Sequence, residues 1–187
     1  MADLDIFTNV HKGIRAALFE ACVRLGRADD DDPALPAIRA YAAGVLHFVA
    51  HHGENEDELL LPLLEDRRPD LARMIADAHR DIEQRLAGLR KMLASASVAS
   101  LYVEFTAFTA LYLMHMLDEE RFEPALREVL AAEDIASIGR QAVARTAPAD
   151  QRLMLGFMVP AMRDREARKL LGNLPPALAA ELAPLLV

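Results

Sequence analysis

The sequence predicts an all-α fold, and three observations predict it. The first is composition. Of the 187 residues 53% are hydrophobic but only 5% aromatic, Trp is absent, and there are only 8 glycines. Aliphatic side chains and alanine must therefore fill the core, and a turn-dense β fold is disfavoured. The second is periodicity: four long stretches carry apolar residues at alternating spacings of three and four, the pattern of a helix buried along one stripe. The third is punctuation, because short polar breaks separate these stretches. Short connections between long helices make neighbours antiparallel. The expected architecture is an up-down-up-down four-helix bundle over residues 1–131, with a short helical C-terminal appendage over 132–187 packed on it.

The first segment spans about Leu4 to Leu25, with a seam of Leu4, Phe7, His11, Ile14, Leu18, Ala21 and Leu25. The acidic run Arg27 to Asp32 breaks it and reads as a solvated loop. Asp32 followed by Pro33 reads as the N-cap and first-turn proline of the next helix. That second segment runs from about Ala34 to Leu64, with Ile38, Ala42, Val45, Val49, His52, Glu56, Leu59 and Leu63 on its seam. Pro69 pushes Arg68 into an extended conformation and ends it. The third segment, about Asp70 to Leu93, carries Ala72, Ile75, His79, Ile82, Leu86, Leu89 and Leu93. A serine-containing break around Ala94 to Ser100 leads into the fourth, about Val98 to Leu130, with Leu101, Phe105, Phe108, Tyr112, His115, Glu119 and Phe122. Pro62 and Pro124 are expected to kink or end the second and fourth helices. Short helices are expected at 134–145, 150–162, 163–171 and 176–186. Met154, Met158 and Met162 recur every four residues on one face there. Packing against the bundle is the first expectation for that face, and a homodimer interface or a lid over the site is the alternative.

Charge and cysteine usage narrow the function. A net charge of −8 argues against nucleic acid and anionic membrane as partners, since both require a basic surface. No run of about 20 apolar residues is present to span a membrane. The single cysteine, Cys22, allows neither an internal disulfide nor a cysteine-rich zinc site. The acidic N-terminus lacks the basic region of a signal peptide, so a cytoplasmic location is expected.

The chemistry lies where each seam is interrupted. His11, His52, His79 and His115 each replace one apolar seam residue, and Glu56 and Glu119 follow four residues after His52 and His115, on the same helix face. Helical rise brings them to one level. From a turn near residue 31, His11 lies about 20 residues before it and His52 about 21 after. From turns near 68 and 97, Glu56, His79 and His115 also match to within about one helical turn. Buried carboxylates are costly unless paired or bound to metal, and a metal cluster removes that cost for all six groups together. Mixed His and Glu donors without thiolate favour non-haem iron, with Mn or Zn behind. Six donors overfill a tetrahedral zinc site, so two metals fit better than one. If both glutamates bridge, the six side chains fill about eight of twelve positions on two octahedral ions, leaving room for a bridging oxygen and a small exogenous ligand. A ferritin-type carboxylate site needs Glu-x-x-His twice. The positions three before the histidines hold Thr8, Val49, Ala76 and Tyr112, so that reading has no foothold. The plain alternative is a structural bundle whose core tolerates a few polar groups and binds metal only incidentally.

The order His, His-x3-Glu, His, His-x3-Glu on four helices resembles the hemerythrin-like (HHE cation-binding) domain. Val10-His11-Lys12-Gly13, His52 through Pro62, Ala78-His79-Arg80 and Met114-His115 through Glu120 carry the likeness, which covers roughly residues 4 to 130. It implies two Fe ions, oxo- or hydroxo-bridged, with Glu56 and Glu119 as bridges and His11, His52, His79 and His115 as terminal ligands. Oxygen carriers of that family place two histidines four apart on the third helix and use His-x4-Asp on the fourth. Here Ile75 precedes His79 by four, and Glu119 and Glu120 follow His115. Fewer nitrogens and more carboxylate favour Fe(III) and weaken reversible O2 binding. The expected function is therefore binding or sensing of O2, NO or peroxide, or of iron itself. A redox enzyme for peroxide or NO turnover, or for iron–sulfur cluster repair, is the alternative.

Four further residues carry expectations. His47 and His51 share a face of the second segment away from its seam and read as bystanders or outer-layer groups. Glu83 follows His79 by four and is a supplementary ligand candidate. Tyr112, one turn before His115, reads as core with a hydroxyl able to reach a ligand at the centre.

Overall fold

A computed structural model of the chain describes residues 7–186, so Leu4 lies outside the described residues. It is all-helical: no strand occurs among the described residues. Four long helices dominate: α1 (Thr8–Arg27), α2 (Leu35–Asn55), α4 (Pro69–Ser95) and α5 (Val98–Val129). Helix α1 packs on α2 and α5, and α4 packs on α5 and α2, closing a ring. The short α3 (Leu61–Arg67) continues the line of α2 and packs against α4. No helix among the described residues is long and apolar enough to cross a membrane.

The breaks fall near where the sequence puts them, for reasons that are partly different. Asp32 does not start α2. Its side chain accepts from the Ala34 N–H (2.7 Å) and its carbonyl from the Leu35 N–H (2.9 Å), closing a turn ahead of a helix that begins at Leu35. Nor is the acidic loop merely solvated, because Asp30 accepts from the Val98 N–H at 2.7 Å, satisfying one of the free donors at the start of α5. Arg39 performs the converse task, donating to the Leu93 and Ala96 carbonyls at the end of α4 (2.7 and 2.6 Å). Arg68, at φ −147° and ψ 69°, is non-helical but not fully extended, and it separates α3 from α4 ahead of Pro69, which disfavours the helical region there. Pro124 neither ends nor interrupts α5, which runs on to Val129.

Pro62 acts differently from a simple kink. Residues Glu56–Leu60 form one π-helical turn, in which the Leu61 N–H bonds the Glu56 carbonyl five residues back. Pro62 lacks the N–H that an α-helix needs there, and the wider turn accommodates the loss. A π-turn inserts one residue into the helical repeat. The buried leucines at its end and beyond it are Leu60, Leu61 and Leu64, while Leu59 and Leu63, expected on the seam, are only half-buried.

The seam histidines and glutamates form a polar layer that divides the core. On one side lies a cluster including Ile14, Val49, Ile82, Phe108 and Tyr112. On the other lies one including Phe7, Leu60, Ile75 and Leu126. On α4 and α5, on the line of α2 continued through the π-turn into α3, and on α1 with its N-cap Phe7, the chain passes from one cluster to the other through the polar layer, as the level matching inferred from helical rise requires.

The C-terminal helices α6 (Ala132–Arg145), α7 (Pro148–Met158), α8 (Asp164–Leu171) and α9 (Pro176–Leu182) follow. Helix α7 lies on α1 and α2, with Met154 and Met158 joined to the first cluster, whereas Met162 packs in a small separate cluster around Val159 and Leu171. Gly13 permits the close approach. A Cβ there would stand 2.8 Å from Met158 Cγ and 3.0 Å from its Cα. The side chain can swing aside, but the backbone cannot without moving α7. Gly13→Ala is therefore expected to destabilise by roughly 1–3 kcal/mol, although alanine favours helix, because overpacking outweighs propensity. Urea unfolding measures this; a stabilised variant would mean that α7 yields freely.

Candidate metal centre

His11, His52, Glu56, His79, His115 and Glu119 are all buried, none more than 8% exposed. Their donor atoms converge in two groups that share both carboxylates: His11, His52, Glu56 and Glu119, and Glu56, His79, His115 and Glu119. Within each group the donor atoms lie within 4.8 Å of one another, an arrangement that could hold a cation.

The carboxylates are divided between the two histidine pairs. Glu56 Oε1 lies 3.3 Å from His52 Nε2, and Oε2 lies 3.4 Å from His79 Nε2. Glu119 Oε2 lies 3.4 Å from His11 Nε2, while Oε1 lies 3.1 Å from His115 Nε2 and 3.8 Å from His79 Nε2. The His11 and His52 Nε2 atoms are 3.1 Å apart. These separations match neighbouring ligands on one ion, since two ligands about 2.1 Å from a metal at a right angle stand about 3 Å apart. Both oxygens of Glu56 and of Glu119, together with the Nε2 atoms of His79 and His115, are buried without a hydrogen-bond partner. Donor and acceptor lie within reach of each other yet do not point at each other, so their lone pairs aim at shared space. Six orphaned atoms in one core layer are costly, and a cation removes the cost. The donors present therefore fit a metal.

Outer groups fix the imidazoles. Asp57 accepts from His79 Nδ1 at 2.6 Å and Glu120 from His11 Nδ1 at 3.0 Å, which leaves each Nε2 facing the centre. Glu120 is itself clamped by the Arg15 guanidinium, at 2.8 and 3.0 Å. The His11 hydrogen bond and Arg15 hold the Glu120 carboxyl down at about 2, against a smaller opposing effect of burial. The seam pattern misses Asp57, Glu120 and Arg15, because it selects only positions facing straight inward. The signal available was adjacency: Asp57 and Glu120 each follow a seam glutamate.

The electrostatics of the layer without a cation are frustrated. Burial, reinforced by Glu119, pushes Glu56 up to about 8. Burial would raise Glu119 too, but the His115 and His79 imidazoles beside it outweigh burial and hold it well below the usual carboxylate range. Two carboxylates this close cannot both ionise cheaply, so one keeps a proton. Burial opposes charge on His79, yet Asp57, Glu119 and Glu56 together drive it up to about 12. Burial and the His11 ring depress His52.

The remaining sequence candidates fall outside the layer. His47 meets Asp150 (2.8 Å) and His51 meets Thr146 (2.8 Å), so both tie α2 to the C-terminal helices. Glu83 is exposed, at the rim of a cavity of about 200 Å³ that also reaches Asp57, His79 and Tyr112. It is not among the converging donors. The Tyr112 hydroxyl is buried and has no partner.

A helical chain with this buried donor set is a metal-binding protein. The hemerythrin HHE cation-binding domain family matches residues 2–126, more than half of the chain, and the chain belongs to that family. No curated protein and no solved structure matches it.

Proposed function

We propose that this chain is a non-haem di-iron protein that binds or senses a small ligand such as O2, NO or peroxide. The four long helices form, in this reading, an up-down-up-down bundle. His11 and His52 would hold one ion and His79 and His115 the other, with Glu56 and Glu119 available to both. The observation that carries the reading is the division of both carboxylates between the two histidine pairs, which a single-ion site does not require. Bound iron would supply ligand exchange and one-electron chemistry. The protein's own groups orient and gate. Asp57 and Glu120 hold the Nδ1 protons of His79 and His11 and keep Nε2 available. Tyr112, with its hydroxyl unpartnered, is positioned to donate to a small ligand at the centre.

Metal analysis with an absorption spectrum tests this. About two irons per chain with near-ultraviolet charge-transfer absorption are expected, falling in His115→Ala. A protein that takes zinc or nothing, unaffected by that substitution, sinks the proposal. Iron uptake should also release protons, because the cation displaces those held on His79 and Glu56. Uptake therefore strengthens as pH rises toward about 8. Turnover of peroxide or NO with an added reductant would reassign the protein as a redox enzyme.

A further inference from the structure

A second cavity, of about 350 Å³, lies between the bundle and the C-terminal helices. Its bundle-side wall includes Phe48, His52, Asn55 and Glu56, and its far wall is the face of α6 that carries Ile138, Gly139 and Ala142. Two small residues on that face leave open a space that larger aliphatic side chains would fill. The volume is far more than a diatomic gas needs, and about twice that of a cavity that takes up benzene. It falls within the range of small-molecule sites, which are mostly apolar with a few placed polar groups.

The polar atoms around the cavity are largely spoken for. Thr146 Oγ1 donates to the Ala142 carbonyl (2.6 Å), so His51 Nε2 must be the donor in its contact with Thr146. Gln151 donates to the Val143 and Thr146 carbonyls. Apart from the Glu56 carboxylate, the buried polar side-chain atom of the lining that lacks a partner is Asn55 Oδ1, an acceptor. No lysine or arginine lines the cavity, so an anion would find no counter-charge there.

We infer that this chamber binds a neutral, mostly apolar organic molecule of about two fused rings, with one hydroxyl- or amine-type donor that meets Asn55 Oδ1. His52 and Glu56 form part of its wall, so the ligand lies against the proposed iron centre. That adjacency rests on the di-iron reading, whereas the chamber itself does not.

Titration with 2-naphthol, by fluorescence and calorimetry, on the purified protein before and after chelation tests the inference. One saturable site is expected in both samples. Ala142→Phe should weaken binding at least tenfold at an unchanged melting temperature. Gly139→Leu, where an added Cβ meets nothing within 4 Å, provides a second block should the first variant fold poorly. Asn55→Ala should weaken 2-naphthol about three- to tenfold, one lost hydrogen bond, while leaving naphthalene itself within twofold. No saturation up to about 1 mM, or equal binding by folded blocked variants, overturns the chamber. In iron-loaded protein 2-naphthol should shift the visible absorption, and an unchanged spectrum at saturation overturns the adjacency. Binding that persists in protein that takes up no iron when iron is supplied supports the chamber and counts against the di-iron reading alone.

Discussion

Glu119→Ala is expected to abolish loading at both ions, whereas His115→Ala removes mainly one. The asymmetry follows from geometry. Glu119 offers one oxygen to the side of His11 and the other to the side of His115 and His79, while the His115 ring faces one side only. Stability reports the same difference. An ion present at 100 to 1,000 times its dissociation constant stabilises the folded chain by about 2.7 to 4.1 kcal/mol, and two such ions raise the melting temperature of a chain this size by roughly 10 °C or more. Glu119→Ala should lose that whole increment, with iron below about half an ion per chain. Its metal-free form should melt below metal-free wild type, because Glu119, held down by the His115 and His79 imidazoles, is a stabilising partner whose loss leaves His79 less compensated, so the metal increment is read against each variant's own metal-free form. Glu119→Gln, which keeps the shape and loses the charge, separates packing from ligation. Two irons retained by Glu119→Ala, or equal losses in the two alanine variants, would contradict shared bridging.

Much of this centre is legible in the sequence because helices transmit position regularly. A seam histidine on each of four helices, matched by helical rise, has one way to meet the others, and the core is indeed split into two apolar clusters at that level. The second layer is not legible by the same rule. Asp57, Glu120 and Arg15 flank the seam, and which flanking side chain curls inward depends on local backbone and on neighbouring helices. The C-terminal helices show a related limit. Their approximate spans along the chain are readable as short helices, but the contact of Gly13 with Met158 joins segments far apart in sequence. The chamber under α6 depends on the same docking, and no periodicity in either segment encodes it.

The π-turn is a place where regular spacing misleads, and it carries the second large prediction. On a straight α-helix Leu63, seven residues after Glu56, would stand within about 20° of it and Leu64 about 80° away. With one residue inserted by the turn, Leu64 is 0% exposed and packs in the cluster with Leu60, Leu71 and Leu126, while Leu63 stays half-buried. Leu64→Ala should therefore cost about 2–5 kcal/mol, the range for truncating a buried leucine, and Leu63→Ala less than about 1.5 kcal/mol. Denaturant unfolding of the two metal-free variants measures the contrast directly, and a reversed order would restore the straight helix. The turn begins at Glu56 and includes Asp57, the carboxylate that fixes His79. Glu56 faces the centre while Asp57 reaches the far side of a metal-facing imidazole. On the regular helix α5 the neighbours Glu119 and Glu120 act in the same way on the two ends of the His11 ring, so adjacent carboxylates about 100° apart serve one histidine on either kind of turn, and the wider turn at Glu56 answers to Pro62 rather than to the metal.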